Sequence, residues 1–233
     1  MKMNFKVSGL IVVIMSIIVS TLSAGILLEK TKLELAGDIS YVNKYVWRGM
    51  LQDEDAAIQN TFSISGYGFG VSIWATNPVG NNKDEIEVNE LDYDFSYTYN
   101  LEELELVIGY VGYDFPYGGY SSEIYFGVNY NSAVSPNIKF YRDFVNDTDY
   151  LLVDFSHSFV VKSLVDSIAF GLSYGYNLDD GSDLLLSADA NIPFTSSGSS
   201  FVPFVNYSVP FGSIKDSGQD KEFIFGLKVD FKI

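Results

Sequence analysis

Residues 222–233 read EFIFGLKVDFKI. Phe223, Phe225, Leu227, Val229, Phe231 and Ile233 take every odd position, and Gly226, Lys228, Asp230 and Lys232 stand between them. Ile224 is the one apolar residue out of phase. A repeat of two is the repeat of a strand whose faces meet different surroundings. The same design recurs upstream. Leu91, Tyr93, Phe95, Tyr97 and Tyr99 alternate with Asp92, Asp94, Ser96 and Thr98, and Tyr67, Phe69, Val71 and Ile73 alternate with Gly68, Gly70 and Ser72.

Followed along the chain, the alternation predicts about twelve strands. They fall near 33–47, 57–65, 67–76, 88–99, 104–113, 122–130, 137–145, 149–159, 167–177, 183–192, 201–209 and 222–233. Beyond residue 32 no apolar run is long enough for a membrane helix, and no helical period is sustained. Short connections (65–66, 100–103, 131–136) alternate with longer or more acidic ones (48–56, 76–87, 114–121, 177–182, 210–221), although 193–200 and 146–148 break the pattern. Such alternation suits a barrel with turns at one membrane face and loops at the other. One face of the strands carries Gly, Ser and Asp, including Gly109, Gly127, Gly171, Ser173 and Gly175, residues poorly suited to a water-exposed sheet. The other carries aromatics near strand ends, including Tyr97, Tyr99, Tyr110, Tyr130, Tyr174 and Tyr176, as interfacial girdles do. The expected fold is therefore all-β: a transmembrane antiparallel up-and-down β-barrel with its apolar face outward. Arg142 is a misfit, because its parity puts it on the apolar face. On this reading Leu227→Arg damages assembly far more than Gly226→Ser.

The first 24 residues read as a cleaved leader. Lys2 and Lys6 precede an apolar stretch from Leu10 to Val19, and the small residues Ser20, Thr21, Ser23 and Ala24 follow. A cut after Ala24 leaves 25–233 as a single barrel domain. The 233-residue chain holds 30 acids against 14 bases, which argues against a nucleic-acid partner. It has no Cys and one His, so thiolate chemistry and multi-histidine metal sites are excluded, and no cofactor motif is evident.

Residues 40–49 (Ser40-Tyr41-Val42-Asn43-Lys44-Tyr45-Val46-Trp47-Arg48-Gly49), with Gln52-Asp53, Ala57 and Gln59, resemble the opening of the TorF family of proteobacterial porins. The segment Ser65 to Asn77 is similar to that family's second block, and Glu90-Leu91-Asp92-Tyr93 to its third. The resemblance spans about 60 residues. It implies an outer-membrane barrel of a Gram-negative bacterium, and the expected topology puts both termini in the periplasm, with outer-membrane lipid and small solutes or cations as partners.

Strand phase then sorts the charges. Glu34, Asp38, Glu90, Asp92, Asp94, Glu105, Glu123, Asp143, Asp154, Asp189 and Asp230 have lumen parity, against Lys44, Arg48, Lys139, Lys228 and Lys232. Eleven acids to five bases predicts a negative interior that favours cations. Arg48, at the end of the first strand, should pair with an acid, either at a constriction or as a structural tie of the first loop. The acidic loop clusters (Asp53-Glu54-Asp55, Asp84-Glu85, Asp147 with Asp149, Asp179-Asp180 with Asp183) lack the spacing of a calcium loop and read as solvated. His157 lies between Ser156 and Ser158, which point to the opposite face, so an esterase or phospholipase built on it would need a cross-strand serine. The function expected is passive, non-catalytic diffusion of small hydrophilic solutes, leaning towards cations. A non-conducting structural barrel is the alternative.

Overall fold

The computed structural model describes residues 32–79, 90–115, 118–178, 181–195 and 198–232. The expected leader, Asp84-Glu85, Asp179-Asp180 and Ile233 lie outside the described residues. The strands are β1 (Glu34–Val42), β2 (Tyr45–Trp47), β3 (Met50–Asp53), β4 (Ala57–Gly66), β5 (Phe69–Pro78), β6 (Glu90–Leu101), β7 (Leu104–Phe115), β8 (Gly119–Tyr130), β9 (Asn137–Asp143), β10 (Thr148–Val160), β11 (Ser167–Asn177), β12 (Gly181–Pro193), β13 (Ser200–Phe211) and β14 (Glu222–Lys232). One helical turn, α1 (Ser213–Asp216), precedes β14. All strands except β2 and β3 form a closed antiparallel barrel of twelve, each paired with its chain neighbours. Closure pairs β1 with β14, Gly37 opposite Phe231 and Tyr41 opposite Leu227. A closed sheet leaves no strand edge with unpaired amides, which is the condition for crossing a bilayer with strands.

Faces follow the alternation. Phe223, Phe225 and Leu227 are 55, 48 and 45 % exposed, and the tyrosines at 97, 99, 110, 130, 174 and 176 are exposed with them. An apolar belt of this kind on an isolated chain is the surface of a membrane barrel. Val229 and Phe231 share that parity but are half-buried; the Phe231 ring covers Gly37 on β1. Ile224, out of phase in the sequence, is buried on the inner face. Arg142 is neutralised at the end of β9 by Asp147 and by Asp149, the latter at 3.3 Å.

Four expectations change. The first barrel strand ends at Val42 and not at residue 47, because Asn43 turns the chain: its amide donates to the Phe225 carbonyl (3.1 Å) and its Oδ1 accepts from the Phe225 amide (2.7 Å). The connections read as 114–121 and 177–182 are shorter, because pairing continues to Phe115↔Gly119 and Asn177↔Gly181 despite the polar composition. Asp183 consequently belongs to β12, where it is buried rather than solvated. Gly226, finally, is not a mild site. A Cβ there would lie 2.6 Å from Phe204 Cζ and against the Tyr41 carbonyl, so Gly226→Ser should itself be damaging.

The inner glycines have a similar purpose. The Tyr125 ring lies across Gly109 on β7, and its hydroxyl reaches Asp94 on β6 (2.9 Å), two strands away. The Tyr150 ring lies across Gly175 on β11, and its hydroxyl donates to Asp183 on β12 (3.1 Å). Glycine is needed at both places because any side chain would occupy the space of the ring.

Candidate functional site: the barrel interior

The chain between β1 and β4 folds into the barrel as a hairpin. Val46 pairs with Leu51 and Trp47 with Met50, leaving Arg48 and Gly49 as a two-residue turn. Both have positive φ, 47° and 76°, as the turn that matches strand twist demands. Arginine is an unusual occupant, at a backbone cost of roughly 1–2 kcal/mol, and its side chain supplies the compensation. Arg48 Nη1 and Nη2 each lie 2.7 Å from an oxygen of Glu123, a two-pronged pair. Tyr113 donates to the same carboxylate at 2.8 Å. The guanidinium carbon is 3.9 Å from the Tyr150 ring centre, 4.4 Å from Trp47 and 5.0 Å from Tyr141. Arg48 is thus held by charge in its plane and by aromatic faces around it.

Further ties seat the hairpin. Tyr45 donates to Glu90 (2.9 Å), Lys44 pairs with Glu222 (2.6 Å), and the Leu51 amide donates to Gln219 (2.8 Å). Trp47 and Tyr113 meet edge to face at 5.9 Å, beside a buried cluster of Val107, Val111, Tyr113 and Tyr125. The β6–β9 side of the lumen is therefore filled. On the side of β10–β14, β1, β4 and β5 a cavity of about 590 Å³ remains, lined among others by Asp38, Lys44, Tyr45, Trp74, Asp189, Asn191, Phe204, Lys228 and Asp230.

The acids singled out in the sequence separate by location. Glu123 holds Arg48, Glu90 accepts from Tyr45, and Asp94 accepts from Tyr125. Asp92 lies between them, with Oδ1 buried and without a hydrogen bond. Asp38, Asp189 and Asp230 line the cavity, where Asp230 takes Lys228 at 3.2 Å. Glu34 and Lys232 pair at 2.7 Å near the terminal ends of β1 and β14, where both are exposed. Glu105 accepts from Asn129 (3.2 Å), and Lys139 Nζ stands 5.5 Å from the Tyr125 ring centre. Asp154 is opposite Ser173, in phase with Tyr150 and Ser158. Asp143 is spent on a turn, accepting from Ser121 (2.6 Å) and from the Val145 and Asn146 amides (2.7 and 2.9 Å). Arg48 does meet an acid, but from the turn of the hairpin and not from the first barrel strand, where strand phase had put it.

Sequence reasoning gave no role to Glu222 or to the inward tyrosines 45, 113, 125, 141 and 150, and read Asp183 as part of a solvated loop, because it followed tyrosines only on the lipid-facing parity. Parity held the signal: Tyr113 is in phase with Val107 and Val111, and Tyr125 with Glu123. His157 has its Nδ1 against the Ala133 carbonyl rather than a serine hydroxyl, and its ring meets Phe159 edge-on at 4.4 Å. In the remaining acidic loops, Asp53 Oδ1 accepts from the Asp55 amide at 2.8 Å, and among the described residues no three His, Asp or Glu side chains are grouped to hold a metal ion.

Barrel and interior together make a closed twelve-stranded antiparallel β-barrel with an apolar outer face and a charged, partly open lumen. Among solved structures, the chain is similar to one described as the KdgM porin (TM-score 0.59, 12 % identity, covering 84 % of this chain and 98 % of that one). It is also similar to the NanC porin (TM-score 0.53, 12 % identity, covering 84 % and 100 %). At such identity the likeness is one of fold. No protein-family model matches the chain, and no curated protein sequence matches it.

Proposed function

We propose that this protein is a passive, non-catalytic channel for small hydrophilic solutes in the outer membrane of a Gram-negative bacterium, with a preference for cations. The observation that carries the reading is the lumen itself: a barrel with an apolar outer face encloses a 590 Å³ polar cavity in which acids outnumber bases. Lys44 and Lys228 are each held by an acid, Glu222 and Asp230, whereas Asp38 and Asp189 have no ion pair among the described residues. A negative potential in a narrow, low-dielectric tube concentrates counter-ions. The resemblance of residues 40–77 to TorF-family porins agrees with this reading.

Planar-bilayer recording tests it. Under a salt gradient the wild-type reversal potential should lie on the cation side. Asp38→Asn with Asp189→Asn should move it towards zero further than Asp92→Asn with Asp94→Asn, since Asp94 is already engaged by Tyr125. Both shifts should shrink as the Debye length falls from ~10 Å at 0.1 M to ~3 Å at 1 M salt. Anion preference overturns the charge argument. A folded wild-type barrel without conductance would favour instead a structural, non-conducting barrel, a reading supported by the hairpin packed on the β6–β9 side of the lumen.

The same reading makes residues 1–24 an export leader and puts both termini of the barrel in the periplasm. N-terminal sequencing of the protein from an outer-membrane fraction should begin near Gly25. Recovery of Met1 from an inner-membrane fraction would overturn it.

A further inference from the structure

The wall of the cavity is more specific than a generic negative pore requires. Asp38 and Asp230 stand directly opposite each other on β1 and β14, a like-charge pairing that destabilises a sheet unless a cation intervenes. Lys228 bonds Asp230 at 3.2 Å and lines the same cavity as Asp38 and Asp189. One ammonium group is thus ion-paired with one of three cavity carboxylates, and Asp38 and Asp189 keep none among the described residues. Asn191, on the same wall, has a buried Oδ1 with no hydrogen-bond partner. Aromatic rings stand beside these acids: Phe204 is paired with Asp189 across β12 and β13, Trp74 lies two strands from Asp38 in the same register row, and Tyr45 and Trp74 meet at 5.5 Å between ring centres. A hydrated metal ion has no use for such rings. An organic ammonium group does, because the ring faces attract its charge while carboxylate and amide oxygens accept its N–H bonds. The volume lies within the ~300–1,000 Å³ of small-molecule sites.

We propose that this cavity is a binding site for small protonated amines: the ammonium is received by Asp38, Asp189 and Asn191, and the carbon skeleton lies against Trp74, Tyr45 and Phe204. The proposal deepens the channel reading and rests on it for its role in transport.

The test is titration calorimetry of the detergent-folded barrel with 1,4-diaminobutane, at fixed ionic strength, with potassium and acetate as controls. The diamine should bind and be displaced by tetramethylammonium better than by potassium. Asp38→Asn with Asp189→Asn should weaken it at least ten-fold. Trp74→Leu should weaken it several-fold while leaving potassium-over-chloride selectivity in bilayers unchanged, since no charge is altered. Folding of each variant is checked by heat-modifiable gel mobility, and the competition on wild-type protein is decisive without any variant. Absence of heat with diamine, equal displacement by potassium, or full-strength binding by folded Trp74→Leu would overturn the site. A barrel that conducts potassium but does not bind diamine rejects the site and keeps the channel; one that binds diamine but does not conduct rejects the channel and keeps the site.

Discussion

Leu227→Arg should prevent the barrel from assembling in lipid. Leu227 sits midway along β14, paired with Tyr41 on β1 and Pro203 on β13, with its side chain outward and 45 % exposed. An arginine at a lipid-facing midplane position costs ~2–4 kcal/mol, which lowers the folded-to-unfolded ratio by roughly 30- to 800-fold. The site is also on the strand that closes the ring, so failure to seat β14 leaves two open edges in hydrocarbon. The comparison variant is Asp154→Asn, an isosteric change on the inner face, and not Gly226→Ser, whose new side chain would strike Phe204. Heat-modifiable mobility after refolding into phospholipid should be lost for Leu227→Arg and kept for Asp154→Asn. A water-soluble, folded Leu227→Arg protein would refute the membrane-facing assignment.

Breaking the Arg48–Glu123 pair from either side should loosen the hairpin and lower stability by about 3 kcal/mol or more, because the remaining charge is left without its partner. Glu123 is 3 % exposed in this pair and also accepts from Tyr113, so Glu123→Ala strands two donors. Arg48→Lys should restore little, since a point charge cannot make two parallel bonds or stack as a planar guanidinium does. Arg48→Met combined with Glu123→Leu should recover most of the loss, as apolar replacement of a buried pair often does. Urea unfolding gives the stability order. In bilayers the single variants should show larger and noisier conductance than wild type, because the hairpin occupies lumen that an unseated loop would vacate. Single variants with wild-type stability and conductance would show that other ties suffice to hold the hairpin.

The places where sequence reading went astray share a cause. Period-two alternation reports which side of a sheet a residue occupies, and that much was legible: twelve strands, the outward set around Leu227, and the lumen parity of Asp38, Asp189 and Asp230. It does not report which elements belong to the sheet. Tyr45 to Trp47 continue the alternation of β1, yet they form one arm of a separate hairpin, since only Asn43's bonds to Phe225 turn the chain inward. Nor does alternation see across the lumen. Tyr125 reaches Asp94 over Gly109, and Tyr150 reaches Asp183 over Gly175, between strands that are not neighbours.

Local periodicity was enough to read the barrel and its strand number directly from the chain, because both follow from which residues alternate and for how long. Tertiary structure alone decided that Arg48 meets Glu123, that the β6–β9 side of the lumen is filled, and that Asp38 and Asp189 share an open cavity with Tyr45, Trp74 and Phe204. Those are contacts between segments distant in the chain, and their geometry is set by ring closure and by the infolded hairpin, neither of which leaves a local mark in the residues concerned.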